Sequence, residues 1–220
     1  MPEHMDTQLN PDILMYLQDV IIPRYSAFDP AHSIGHVNSV IKAALEMCSH
    51  YDVDPDMIAV AAACHDLGLS SDRKTHHLIS GDIIRQDKSL PKWFSPEQIE
   101  TIAQAAEDHR ASSGQEPRSI YGKIIAEADR QIDPDAVITR TVQYGFEHYP
   151  QLDKEGHWRR MLQHLHEKYA EGGYLKLWIP ESDNAVKLKL LRGIISDEAR
   201  LRDIFEAIYS DISDKAESNT

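Results

Sequence analysis

The chain has 220 residues, with 23 Lys and Arg against 36 Asp and Glu and a formal net charge of −13. That length suits one domain or slightly more, and the acid excess argues against a nucleic-acid polymer as partner. Cys48 and Cys64, the only two cysteines, cannot build a disulfide framework and read as buried free thiols of a reducing compartment. A polar N-terminus, and no apolar run near the ~20 residues that a span requires, lead to the expectation of a cytoplasmic chain with no membrane partner.

Helix starts are well marked. Asn10-Pro11, Asp29-Pro30, Asp54-Pro55, Ser95-Pro96 and Asp133-Pro134 each set a capping residue before a first-turn proline. The pattern predicts helices near 11–23, 31–51, 55–67, 75–87, 96–109, 119–131, 134–148, 155–170 and 183–210, hence an all-α bundle. Residues 174–179 are the one short strand candidate, equally readable as loop or helix. The expected division is an N-terminal helix in 1–24 and a core over 25–148. A helical extension of the same domain over 149–210 and a flexible tail over 211–220 complete it.

In the second helix His36 opens an amphipathic stretch, with Val37, Val40, Ile41, Ala44, Leu45 and Cys48 at helical spacing. The third is apolar from Met57 to Cys64 and then ends on His65-Asp66, with Ile58, Ala61 or Ala62 and His65 on one stripe and Gly68 as the stop. Burying an ionised carboxylate costs several kcal/mol unless a cation offsets it. The sixth helix repeats the anomaly, embedding Asp129 in the run from Ile124 to Arg130. Three helices thus each bring a metal-type side chain to an apolar face, which is how helical bundles build metal sites. A divalent cation uses both imidazole nitrogen and carboxylate oxygen, and it would also relieve the like charges of Asp66 and Asp129. Further on, His157, His164 and His166 with Trp158, Arg159, Arg160 and Lys168 read as a mixed-charge helix with a solvated face.

The order His36, His65-Asp66, Asp129 resembles the H…HD…D signature of the HD superfamily of metal-dependent phosphohydrolases. Ala31 to Val40 is similar to that family's H-x-x-x-H entry, and Glu127 to Arg130 with Thr139 to Gly145 resembles the D-A-D-R and R-T-F-x-Y-G patterns of small bacterial members. The resemblance covers roughly residues 25–145 and implies an HD-type helical bundle with additional C-terminal helices. It implies a divalent ion (Mn, Fe, Mg, Co, Ni or Zn) on His36, His65, Asp66 and Asp129. The H-x-x-x-G spacing from His77 to Gly81, followed by His109, is similar to the binuclear branch, in which the HD aspartate bridges two ions. Under that reading His77 and His109 hold a second ion; under the other they are hydrogen-bonded pocket residues around a single one. The G-Y-P signature of cyclic-dinucleotide hydrolases is absent from the sequence.

The activity implied is hydrolysis of a phosphate ester or anhydride of a small molecule, a nucleotide foremost, by a water that the cation activates. Asp66 would orient that water. Lys74 and Arg110 would receive the phosphate, with His32, Arg130 and Arg140 as further cations near the ligands in sequence. Val186 to Gly193 would pack on the metal core or form a homodimer surface. Two other classes remain open at this point: a phospholigand sensor without turnover, and a di-iron oxygenase built on the same fold.

Overall fold

The computed structural model describes residues 9–29, 32–110 and 114–218, with side chains described as far as Lys215. Among the described residues there are ten α-helices and no strand, and the chain packs as two compact units. The first comprises the chain up to Gln131 together with Leu177–Ser182; the second comprises Ile132–Lys176 and the chain from Asp183 onward. The division falls at 131/132, earlier than the expected boundary at 148, and the first unit takes back six residues from far along the sequence.

The N-terminal helix is shorter than the periodicity predicts. Only Pro11–Tyr16 (α1) is α-helical; Leu17–Ile21 widens into a π turn and Ile22–Ala27 tightens into a 3-10 helix. Leu9, Ile13, Leu17, Ile21 and Tyr25 are all buried, a spacing of four that drifts by about 40° per step around an ideal α-helix. The π turn takes up that drift, and Pro23, lacking an N–H, stands in the first turn of the 3-10 helix that follows. Pro30 and Ala31, where the second helix was expected to start, lie outside the described residues. The helix α2 runs Ile34–Cys48 with Ser33 as its cap, the Ser33 hydroxyl accepting from the His36 amide.

Next come α3 (Pro55–Cys64), α4 (His76–Gln86), α5 (Pro96–Asp108) and α6 (Ile120–Asp129). The expected caps act at Asn10, Asp54, Ser95 and Asp133, and Ser95 with Gln98 closes a full capping box. Every residue of α3 from Met57 to Cys64 is buried, as an all-round apolar helix must be. It forms the axis of the first unit, with Val37, Val40 and Ile41 of α2, Ile102 and Ala106 of α5, and Ile124 of α6 in the same core. Burial pushes the Cys64 thiol up to about 12 and that of Cys48 to about 11, so both are packing groups.

In the second unit α7 (Pro134–His148), α8 (Lys154–Tyr169), α9 (Asp183–Ser196) and α10 (Glu198–Ser218) pack together. The single helix expected over 183–210 is two: Asp197 breaks it and its carboxylate accepts from the Arg200 amide, a new N-cap. The helix α10 then continues through Ser218, into the residues expected as a loose tail. The α8 face is less solvated than its charges imply, because His157 and Trp158 are buried; His157 stacks on Phe146 at 4.7 Å and Trp158 meets Phe205 at 5.4 Å. Val186 and Leu190 of α9 are exposed, whereas Leu188 and Leu191 are buried.

Residues 174–179 form a loop. Its end and the next three residues make the segment that rejoins the first unit: Ile179 enters the core, the Trp178 amide donates to Glu127 Oε2 at 2.8 Å, and the Ser182 hydroxyl donates to Glu127 Oε1 at 2.5 Å. Tyr51 adds a hydrogen bond to Glu181 at 2.7 Å. Glu127 is fully buried, so its two acceptors are what make this attachment affordable in a dry environment. Glu127→Ala should strand both donors and destabilise the protein by on the order of 3 kcal/mol, read as a lower urea midpoint. Cleavage near residues 177–182 should become faster, and a wild-type urea midpoint in the variant would contradict the anchoring role.

Candidate metal centre

Helix α3 delivers His65 and Asp66 at its C-terminal end, α2 brings His36, α6 ends on Asp129, α4 begins on His76 and α5 is capped by His109. These four histidines and both carboxylates converge. Around Asp66 Oδ2 lie His65 Nε2 at 3.2 Å and His36 Nε2 at 3.7 Å, and Asp129 Oδ1 is 3.4 Å from His36 Nε2 and 3.7 Å from His65 Nε2. Around Asp66 Oδ1 lie His76 Nε2 at 3.3 Å and His109 Nε2 at 3.5 Å. His36, His65 and Asp66 thus form one potential ligand group, and Asp66, His76 and His109 a second.

The imidazoles are turned the way metal ligands are turned. His65 Nδ1 lies 2.7 Å from the Ala62 carbonyl, His76 Nδ1 2.8 Å from that of Arg73, and His109 Nδ1 2.5 Å from that of Ala106. Each Nδ1 is therefore the N–H donor, which leaves a lone pair on each Nε2. Yet His76 Nε2 and His109 Nε2 are 3.1 Å apart, and His36 Nε2 and His65 Nε2 are 3.4 Å apart. At His76 and His109 the two lone pairs oppose each other and repel unless a cation lies between them. Two nitrogens bound about 2.1 Å from one ion are about 3.0–3.4 Å apart at octahedral to tetrahedral angles, so the donor set and its spacing fit divalent metal.

Electrostatics give the same account from the proton side. Burial opposes ionisation of Asp66 and Asp129, but the surrounding imidazoles outweigh it and hold both carboxyls far below their usual range. Burial likewise opposes charge on His65, while Asp66 and Asp129 raise its affinity for a proton well above normal. The expected clash of two carboxylates is thus offset by the imidazoles around them, and of these His65 gains proton affinity from both acids.

The position predicted for His77 is occupied by His76. The helix α4 is pressed against the turn after Asp66: the Gly68 amide donates to Ser80 Oγ at 2.9 Å, and a Cβ on Gly68 would overlap the His76 carbonyl. The face of α4 toward the turn is therefore His76, Ser80 and Ile84, each four residues on. His77 and Gly81 share the neighbouring face, where Gly81 lets the Glu107 side chain pass. Arg85 and Arg118 hold Glu107 at 2.6 Å and 2.5 Å, so that glycine fixes the approach of α4 to α5. His77 stays outside both ligand groups; its buried Nδ1 has no hydrogen-bond partner, and burial with the charges of His109, Arg110 and His76 lowers its proton affinity.

The expected phosphate cations stand in different settings. Arg110 donates to the Lys74 carbonyl, tying the loop after the HD turn to the end of α5. The Lys74 amide is held by Asp72 at 3.1 Å, and its side chain is exposed. Arg130 donates to the Ala126 carbonyl at 2.5 Å and Arg140 to that of Ala136 at 3.2 Å, both one turn back along their own helices. His32 lies beside His36, ring centroids 5.9 Å apart, with Asp29 on its Nδ1 at 2.9 Å and Arg73 on Asp29 at 3.1 Å.

The helical scaffold carries paired His/Asp groups that could hold metal, and comparison relates part of the chain to a known family. The HD domain family matches residues 33–131. A crystal structure described as a predicted HD superfamily hydrolase, from an uncultured Thermotogales bacterium, superposes with a TM-score of 0.50 at 23% identity. The match covers 74% of this chain and 90% of that one. Residues 33–131 are thus similar to the HD domain, and the likeness to the solved structure extends to the fold. The comparison with curated proteins gave no match.

The two histidines of α4 should behave differently. His76→Ala is expected to lower bound manganese from about two equivalents to about one, leaving the first group filled, whereas His77→Ala should leave the stoichiometry unchanged. Metal analysis after gel filtration reads both, and the reverse pattern would restore the register predicted from the sequence.

Proposed function

We propose that this protein is a metal-dependent HD-type hydrolase that cleaves a phosphate ester or anhydride of a small molecule, a nucleotide being the first class to test. One observation carries the reading: the two oxygens of Asp66 face separate pairs of imidazole nitrogens, Oδ2 toward His36 and His65, Oδ1 toward His76 and His109. A carboxylate so placed is suited to bridge two divalent ions, with Asp129 completing the first group. Bound divalent ions supply Lewis acidity toward phosphoryl oxygens and lower the pKa of water at neutral pH.

The chain's own residues supply the rest. Asp66 and Asp129 bring the negative charge that retains the ions, and the Nδ1–H bonds of His65, His76 and His109 keep each Nε2 directed inward. Asp129 is the most open member, with 26% of its side chain accessible against 14% for His36 and 13% for His76, so substrate approach is supported on its side. Lys74 and Arg110 border the second group through the loop that Arg110 ties down, and in this reading they receive the phosphate that leaves. The buried free thiols support a reducing, cytoplasmic setting, and the net charge of −13 supports a small substrate over a nucleic-acid polymer.

The test is a screen of the purified, chelator-stripped protein, reloaded with each of Mn, Fe, Mg, Co, Ni and Zn, against nucleotides, dinucleotides and phosphate monoesters. Phosphate release should require added metal, and Asp66→Ala should abolish bound metal and reduce turnover by orders of magnitude while helical content stays near wild type. Oxygen consumption by the iron-loaded form with no phosphate release from any substrate would transfer the site to oxidative chemistry. Full activity of Asp66→Ala would remove the assignment.

A further inference from the structure

The backbone at the HD pair is held by a side chain from the N-terminal segment. Helix α3 ends at Cys64, and Asp66 sits at φ −107° and ψ 5°, the sparsely populated bridge region between helix and strand. At this point the last carbonyls and the next amide lose their helical partners. The Ala62 carbonyl is engaged by His65 Nδ1 at 2.7 Å. Between the Ala63 carbonyl and the Asp66 amide stands Tyr25: its hydroxyl donates to Ala63 O at 2.8 Å and accepts from Asp66 N at 3.4 Å.

Tyr25 is delivered there by local structure. It closes the buried series Ile13, Leu17, Ile21 and Tyr25, and its ring lies edge-on to Phe28 at 5.2 Å with 1% of the residue exposed. A buried phenol needs a partner for its O–H, and here both partners belong to the turn that presents the metal-type side chains. We propose that Tyr25 is a positioning residue for the metal centre, its hydroxyl spanning the end of α3 so that the bridge-region backbone of Asp66 aims the two carboxylate oxygens at the two histidine pairs. The role rests on the metal-binding reading above and acts through Asp66; Tyr25 itself touches neither ion nor substrate. Outer partners that orient ligands typically contribute 10–100-fold to metal affinity.

The experiment compares full-length wild type with Tyr25→Phe, which keeps the ring and loses the hydroxyl, and Phe28→Leu, which alters the ring contact and keeps the hydroxyl. Each chelator-stripped protein is titrated with Mn2+ and with Co2+ against a competing metal dye, and melted without metal. Tyr25→Phe should bind both ions about 10–100-fold more weakly, with a changed Co2+ absorption spectrum. Phe28→Leu should melt earlier yet bind like wild type. Wild-type affinity and spectrum in Tyr25→Phe would overturn the proposal, as would affinity losses in both variants that follow their melting temperatures, or a Tyr25→Phe chain that does not fold. A wild-type protein that binds neither ion would instead overturn the metal reading itself, so the two failures are distinguishable.

Discussion

A buried carboxylate shared by four imidazole nitrogens sets the terms for the first unit. Asp66 has 3% of its side chain exposed, and each oxygen faces its own histidine pair. Left alone, such a group would be expelled or neutralised. It is retained because the surrounding helices supply positive counterparts, protons on imidazole or a divalent cation, at distances that one ion between each pair can satisfy. Every helix end in the first unit that brings one of these side chains is constrained by this requirement. The ends of α3, α5 and α6 and the starts of α2 and α4 must meet within a few ångströms.

Close backbone approach makes that meeting geometrically possible. Gly68 lets the turn after Asp66 rest on the first residue of α4, and Gly81 lets α4 lie against Glu107 near the end of α5. Around Glu107, Arg85 and Arg118 form a network with Glu100 and Asp108 that fixes the α4–α5 spacing just before His109. The charge network is partly exposed, so its energetic contribution is modest; its importance lies in register. A shift of one residue in α4 would replace His76 by His77 and turn the imidazole by about 100° away from Asp66.

Much of this was legible in the sequence, because the strongest signals were polar residues breaking apolar helical stripes. His36, His65, Asp66 and Asp129 stood out for that reason, and the capped prolines located most helix starts within a few residues. The register of α4 was not legible from the H-x-x-x-G spacing. His76 and His77 are adjacent, and the choice depends on a contact with Gly68 that lies outside the helix. The stripe of His76, Ser80 and Ile84, all facing inward, was the available clue, but a buried serine weakens an apolar pattern. Tyr25 was missed because a tyrosine in a hydrophobic series looks like packing; its hydroxyl matters only once the broken end of α3 is seen. His157 and Trp158 read as a wet face in the sequence because the charges beside them on α8 dominate the composition.

The return of Leu177–Ser182 to Glu127 has a consequence for the order of events during synthesis. Glu127 and its partners Trp178 and Ser182 are 51 and 55 positions apart in sequence. At the usual rate of translation the ribosome needs about 3–10 s to add that many residues. Until then the helix bearing Asp129 is made, but the buried carboxylate two residues before its end still awaits the Trp178 and Ser182 donors. The buried Glu127 carboxylate is therefore completed by a stretch of polypeptide encoded far downstream, and a gene fragment ending at residue 131 would encode every proposed metal ligand without the Trp178 and Ser182 donors or Ile179.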